Sequence, residues 1–206
     1  DPTGNMRLKL ALSKAKSNNI PKDNINRAIQ KGLGASDGSN YEELIYEGYG
    51  PAGSAVMLEV MTDNRNRTAA DIRHLFSKYG GNLGQTGCVS YMFEDKGVIV
   101  IDAEDIDEEK IMEDALEAGA ADFQADDDVF EIYTEPEDFS GVREDLQAKG
   151  YTFVSADGEM VPSTYVKLTD EESITKMQRL MDALEDNDDV QNIWHNWEAP
   201  ESDDED

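Results

Sequence analysis

Five side chains between residues 65 and 78 are of types that bind anions: Arg65, Arg67, Arg73, His74 and Lys78. Ammonium groups hold phosphate or carboxylate as point charges, and arginine holds them through a rigid fork of donors. These residues lie in TDNRNRTAADIRHLFSKYGGNLG (62–84), which passes from a strand-like run into a helical pattern. Arg65 and Arg67 are expected in the loop that feeds the helix N-terminus, where unpaired N–H groups and the positive dipole end favour an anion. The helix itself is expected from about 68 to 79, started by a Thr68-x-x-Asp71 arrangement related to the capping box. On its wheel Ile72, Leu75, Phe76 and Tyr79 share the face that must meet a sheet. His74 and Lys78 fall nearly opposite, and Arg73 lies on the flank. The expectation is that Arg65, Arg67, Arg73 and Lys78 share one exposed face, continuous with the linker side of a basic head that precedes them. Such a face is either a phosphate-binding surface or a solvated helix whose arginines pair with the protein's own carboxylates.

Scarcity gives these cations their interest. The 206-residue chain holds 18 Lys and Arg against 46 Asp and Glu, a formal net charge of −28. The charge is not spread evenly. Residues 1–40 carry Arg7, Lys9, Lys14, Lys16, Lys22, Arg27 and Lys31 against three acids, for a net of +4. Residues 41–80 sum to −2, and the remaining 126 residues to −30. A basic head is thus joined to an acidic body. Phosphates are repelled by the body, so nucleic-acid contact is expected at the head and at the 65–78 surface.

Other chemistry finds little support. The glycines at 80, 81, 84 and 87 fit neither phosphate-loop pattern, although they allow close backbone approach. Cys88 is the one cysteine, which excludes an intrachain disulfide framework and any multi-cysteine zinc site. It is read as a buried strand thiol. His74 and His195 are the only histidines and stand far apart. EDNDDV (185–190) lacks the glycine and terminal glutamate of a calcium loop and is read as a solvated acidic turn. Trp194 and Trp197 could stack on bases, but on a terminal strand they are read as packing residues of a core or domain interface. No nucleophile, base and oxyanion donor come together, so neither catalysis nor a cofactor nor a metal is expected. No apolar run is long enough to cross a bilayer. Length, composition and the single cysteine fit a protein of the reducing cytoplasm.

The elements that must position these residues can be read in order. NMRLKLALSKAKSNN and the run opened by Pro21 and closed by Gly32 make two short helices, with Leu8, Leu12 and Ala15 on one stripe and Ile25, Ala28 and Ile29 on the other. GLGASDGSN (32–40) reads as a linker. LIYEGYG and SAVMLEVMT flank a PAG turn as a hairpin, the helix follows, and GCVSYMFE reads as a strand. A second unit is expected over 98–164: strand VIVID, a helix with Ile111, Met112, Ala115 and Leu116 facing inward, a hairpin within 122–134, a helix ended by Gly150, and strand YTFVS. This β-α-β-β-α-β order fits a ferredoxin-like sandwich. TYVKL, a helix over 170–186 and VQNIWHNW then supply the strand, helix and strand that the first sandwich lacks. The fold class is therefore α+β, with a helical domain (1–40), a first α/β domain (41–97 with 165–199), a ferredoxin-like domain inserted in it (98–164) and an acidic tail (200–206).

Four stretches together carry a resemblance: the head NMRLKLALSKAKSNNIPKDNINRAIQKG, YEGYGPAG, TDNRNRTAADIRHLFSKYGGNLG and LMDALEDNDDVQNIWHN. The sequence resembles the YebC/PmpR family, which includes the mitochondrial translational activator of cytochrome oxidase. The likeness covers nearly the whole chain up to the acidic tail. It implies a helical N-terminal domain with two α/β domains. Family members usually begin with a basic segment like AGHSKWANIKHRK, which implies that residues are missing before residue 1. The resemblance also implies a cytoplasmic regulator of gene expression. That regulator either binds promoter DNA or associates with the ribosome, contacts ribosomal RNA and relieves stalling. The family brings no catalytic residues, so the residues named above rest on charge and spacing alone.

Overall fold

The computed structural model describes residues 5–33 and 40–198. Two helices, α1 (Met6–Ser17) and α2 (Lys22–Gly32), form the head. Asn5 caps α1, its side-chain oxygen accepting from the Leu8 N–H at 3.0 Å. Leu8, Leu12 and Ala15 face Ile25, Ala28 and Ile29 across an apolar cleft. No described residue of the head is fully buried, because two short helices have too little apolar surface to close a core.

Beyond the head the chain forms β1 (Glu42–Tyr49), β2 (Ala55–Thr62), α3 (Arg65–Lys78) and β3 (Asn82–Leu83). It continues as β4 (Phe93–Asp102), α4 (Glu108–Ala118), β5 (Asp122–Ala125), β6 (Val129–Thr134), α5 (Phe139–Ala148) and β7 (Ser155–Pro162). It ends with β8 (Val166–Lys167), α6 (Glu171–Glu185), β9 (Val190–His195) and β10 (Trp197–Glu198). Two separate four-stranded antiparallel sheets result, ordered β3-β1-β2-β9 and β5-β6-β4-β7. The second has the ferredoxin-like order, and its strands are interposed in sequence between β3 and β9 of the first.

The first sheet buries Val56, Leu58 and Val60 of β2 against Ile72 and Phe76 of α3 and Met177, Leu180 and Leu184 of α6. Alternation along β2 sends Met57 to the opposite face, where it packs with Ala55, Val89 and Phe93. Trp194 joins that second cluster, and Trp197 closes the first, as packing roles for both require. The second sheet buries Ile99, Ile101 and Ile132 against Ile111 and Ala115 of α4 and Val142 and Leu146 of α5.

Several expected elements are placed differently. Residues 84–92 are not a strand of the first sheet, whose edge is instead Asn82–Leu83 within the glycine run. The cause is Glu47. Its buried carboxylate accepts from the backbone N–H of Gly87 at 2.5 Å, Ser90 at 2.7 Å and Val89 at 3.1 Å, so these donors are withdrawn from any ladder. Gly87 sits at φ +90°, where glycine is unstrained. A Cβ at Gly81 would collide with the Tyr49 carbonyl oxygen, so the glycine run admits the protein's own backbone. The next strand starts at Phe93 and runs unbroken to Asp102, through the boundary expected at 97/98. TYVKL does not extend the first sheet: Val166 and Lys167 pair in parallel with Trp197 and Glu198 as a two-stranded piece. YTFVS precedes its strand rather than forming it.

In α4 the inward positions belong to Ile111, Asp114 and Ala115, while Met112 and Leu116 are exposed. Asp114 earns an inward place through its partners. It accepts from Lys149 at 2.9 Å, Tyr151 at 2.7 Å and Lys110 at 3.0 Å. Lys149, then Tyr151 and Lys110, hold its carboxyl far below the usual range, and burial with the Asp114 bond pushes the Tyr151 hydroxyl up to about 12.

Burial alone would raise the Glu47 pKa, but the three N–H donors outweigh it and the net shift is downward. A carboxylate whose folded pKa is lowered stabilises the fold above its unfolded pKa and loses that contribution as pH falls through the folded value. Glu47→Gln should therefore lower stability by about 1–3 kcal/mol at about pH 7. Paired urea titrations should show the difference shrinking as pH falls below the ordinary carboxylate range and through the lowered folded value.

Candidate nucleic-acid interface

The expected loop arginines are helical. Asn64 is the N-cap of α3 and accepts from the Arg67 N–H at 3.1 Å, so the helix begins at Arg65, three residues before Thr68. The Thr68-x-x-Asp71 arrangement does not cap it. Thr68 is buried, and its hydroxyl lies 2.8 Å from the Thr62 hydroxyl and 2.7 Å from Asp189 Oδ2, while Asp71 is exposed.

Asp189 organises this junction. It immediately precedes β9, and its carbonyl accepts from the Met61 N–H at 2.8 Å, which brings the acidic turn alongside the end of β2. Its carboxylate then receives the Arg67 guanidinium at 3.0 Å and the Thr68 hydroxyl. Arg67 also reaches Asp63 at 3.3 Å. Burial raises the Asp189 pKa, but Thr68 and Arg67 lower it further, for a net downward shift. The Asp189 hydrogen bond holds the Arg67 pKa up. The acidic turn read as solvated thus supplies a clamp. The signal lay in Thr62, Asn64 and Thr68, three short polar side chains where a strand hands over to a helix.

Of the other cations in the stretch, Arg65 lies 4.0 Å from Glu42 with both side chains exposed. Arg73, His74 and Lys78 are exposed along α3, and Lys78 sits 5.1 Å from the Tyr79 ring centroid. Among the described residues, Arg73 and Lys78 have no carboxylate in ion-pair range.

The head divides similarly. Lys9, Lys16, Lys22 and Arg27 are exposed and, among the described residues, without a carboxylate partner. Lys14 pairs with Asp157 at 3.1 Å, and Lys31 lies 5.7 Å from the Tyr41 ring centroid. Arg7 falls in α1, but its side chain lies outside the described residues.

α1 and α3 lie on opposite sides of the first sheet, while at the linker end of the head Lys31 lies over Tyr41, next to the Glu42 that meets Arg65. α3 covers the face of β2 that bears Val56, Leu58 and Val60. α1 stands on the other side, where Ala11 and Lys14 share a groove with Glu59 and Met61. The period-two alternation of β2 decides this, since residues 58 and 59 point to opposite faces. Two cationic surfaces therefore flank the first sheet. Among the described residues no group of His, Cys, Asp and Glu is placed to hold a metal ion, and no helix is long and apolar enough to cross a membrane.

The comparisons decide the family. Residues 1–35 match the model of the TACO1/YebC protein N-terminal domain, and residues 41–197 match that of the TACO1/YebC second and third domain. The chain belongs to the TACO1/YebC family. A Ruminiclostridium cellulolyticum relative of this family, named "Probable transcriptional regulatory protein", is 58% identical over all of this chain and 83% of its own length. A Finegoldia magna relative of the same name is 56% identical over 96% of this chain and 82% of its own. The crystal structure of a conserved hypothetical protein, Aq1575, from Aquifex aeolicus is similar at a TM-score of 0.88 and 46% identity, covering 100% of this chain and 85% of that one. Members of the TACO1/YebC family thus carry a regulator's name, and this chain shares their mixed helix-and-sheet architecture.

The clamp separates structural from available arginines. Asp189→Ala should lower stability by about 1–3 kcal/mol, since it removes the acceptor shared by the Thr68 hydroxyl and the Arg67 guanidinium. Arg67→Ala should cost at most about 1 kcal/mol, because its side chain is 49% exposed and screened. Arg73→Ala should stay within about 0.5 kcal/mol. Urea titration of the three variants and of the Arg67/Asp189 double variant, whose losses should not add, checks this.

Proposed function

We propose that this protein is a non-catalytic regulator of gene expression that binds nucleic-acid phosphates through its basic head, with promoter DNA as the target. The carrying observation is the set of exposed cations, Lys9, Lys16, Lys22 and Arg27, that have no acidic partner among the described residues, in a chain of net charge −28. Carboxylates outnumber cations by more than two to one, so basic residues left unpaired on a common segment mark a surface for an outside anion. The relatives' name supports the regulator role. The head acts as a domain of its own, residues 1–40, with Arg65, Arg73, His74 and Lys78 as a second, weaker contact across the first sheet. The cytoplasm, where both DNA and ribosomes of a bacterial cell lie, is the location this reading requires.

A second reading, a ribosome-associated translation factor that contacts ribosomal RNA, is favoured by one observation. The last 126 residues carry a net −30, which opposes a wide footprint on duplex DNA but keeps a docked body soluble. Contact with backbone phosphates is the mode both readings share.

Fluorescence anisotropy with a labelled duplex and a labelled single-stranded RNA tests the proposal. Lys9→Glu, Lys16→Glu and Arg27→Glu combined should weaken binding by about tenfold or more, and Arg73→Glu with Lys78→Glu by less. Binding by the head variant at wild-type strength defeats the proposal. Pelleting of the protein with ribosomes, beside promoter binding at matched salt, then separates the two targets.

A further inference from the structure

The cations of α1 do not all face the same way. Leu8, Leu12 and Ala15 form the stripe toward α2, Lys9 and Lys16 form a solvent stripe, and Ala11, Lys14 and Asn18 form a third. This third stripe lies over the body. Ala11 and Lys14 line one groove, of about 670 Å³, whose rim carries Asp95, Asp157 and Glu159 and whose apolar lining includes Met61 and Trp194. Lys14 and Asn18 line a second cavity, of about 460 Å³, on the other side of Asp157. Between the two, the Lys14 ammonium meets the Asp157 carboxylate at 3.1 Å, with the side chains 66% and 37% exposed.

We propose that Lys14 and Asp157 form a clasp that holds the basic head on the acidic groove, and that nucleic-acid phosphates compete it open. This rests on the reading of the head as a phosphate binder. Three observations carry it. Open volume lies on both sides of the pair. Among the described residues the head contributes no fully buried side chain. The two parts carry opposite charge, +4 over residues 1–40 against −30 over the last 126, so the attraction is electrostatic and screened by salt. A polyanion presents the head with phosphates more closely spaced than the groove's scattered carboxylates, and they compete with Asp157 for the Lys14 ammonium. Binding therefore exchanges an internal ion pair for an external one and frees the head from the body.

Trp194 reports the state of the clasp because it lines the groove that α1 closes, whereas Trp197 is buried in the first core. In the full chain carrying Trp197→Phe, acrylamide quenching of Trp194 should rise as potassium chloride increases, and should rise likewise when a single-stranded RNA is added at low salt. Asp157→Lys and Lys14→Met should each show the raised quenching without either addition. Asp157→Lys should also bind the RNA about two- to fivefold more tightly than Asp182→Lys, a control with the same net charge on the exposed face of α6. Equal affinity of those two variants, or quenching indifferent to salt and to both clasp substitutions, overturns the clasp even if RNA binds. If quenching follows salt and the clasp variants but no nucleic acid binds, the head is held as described and the competition by phosphates, with the function it rests on, is wrong.

Discussion

An excess of carboxylate is the constraint under which this molecule is built. With 46 acids and 18 Lys and Arg, a cation placed among the acids is drawn into an internal pair unless the fold keeps it away from them. In the body that capture is visible. Lys96 is held by Glu135 at 2.6 Å, Lys149 by Asp114 and Glu117, Lys176 by Glu172, and Arg67 by Asp189. Most described head cations escape because the head has few acids of its own, while Lys14 meets Asp157 and Lys31 lies over Tyr41. Functional charge in this protein is thus a matter of placement, and the net charge alone says little about what it can bind.

The acids in turn serve the fold. Glu47, Asp114 and Asp189 are each wholly or largely buried, and each is surrounded by donors: three backbone N–H groups, two ammonium groups with a phenol, and a guanidinium with a hydroxyl. A buried carboxylate is tolerated only with such company. Each ties together segments far apart in sequence. Glu47 fixes the loop between the two sheets, Asp114 joins α4 to the end of α5, and Asp189 joins the start of β9 to the start of α3.

Much of this was legible in the sequence, and the failures share a cause. The hairpin, the helices and the ferredoxin-like unit follow from apolar periodicity, because burial of Val56, Leu58 and Val60 or of Ile99 and Ile101 leaves an alternating trace. The charge gradient of the head needed no structure at all. What periodicity cannot show is a polar residue doing the work of a core residue. Asp114 took the inward place expected for Met112 and Leu116, Glu47 turned an expected strand into a loop, and Asp189 converted an expected phosphate-facing Arg67 into half of a clamp. Arg73, His74 and Lys78 were placed correctly on the exposed side of α3. Their separation from α1 follows from which face of β2 each helix meets, information that exists only once the strands are paired.

In the proposed function a small, localised set of head cations carries nucleic-acid contact while the acidic body stays away from it. The slope of log K against log salt for duplex binding measures the number of phosphates neutralised. The account predicts a slope between about −3 and −6, the range open to the head's cations alone. A slope near zero with tight binding would contradict it, pointing to stacking in place of charge, and a slope steeper than about −8 would mean that the body's cations join the footprint.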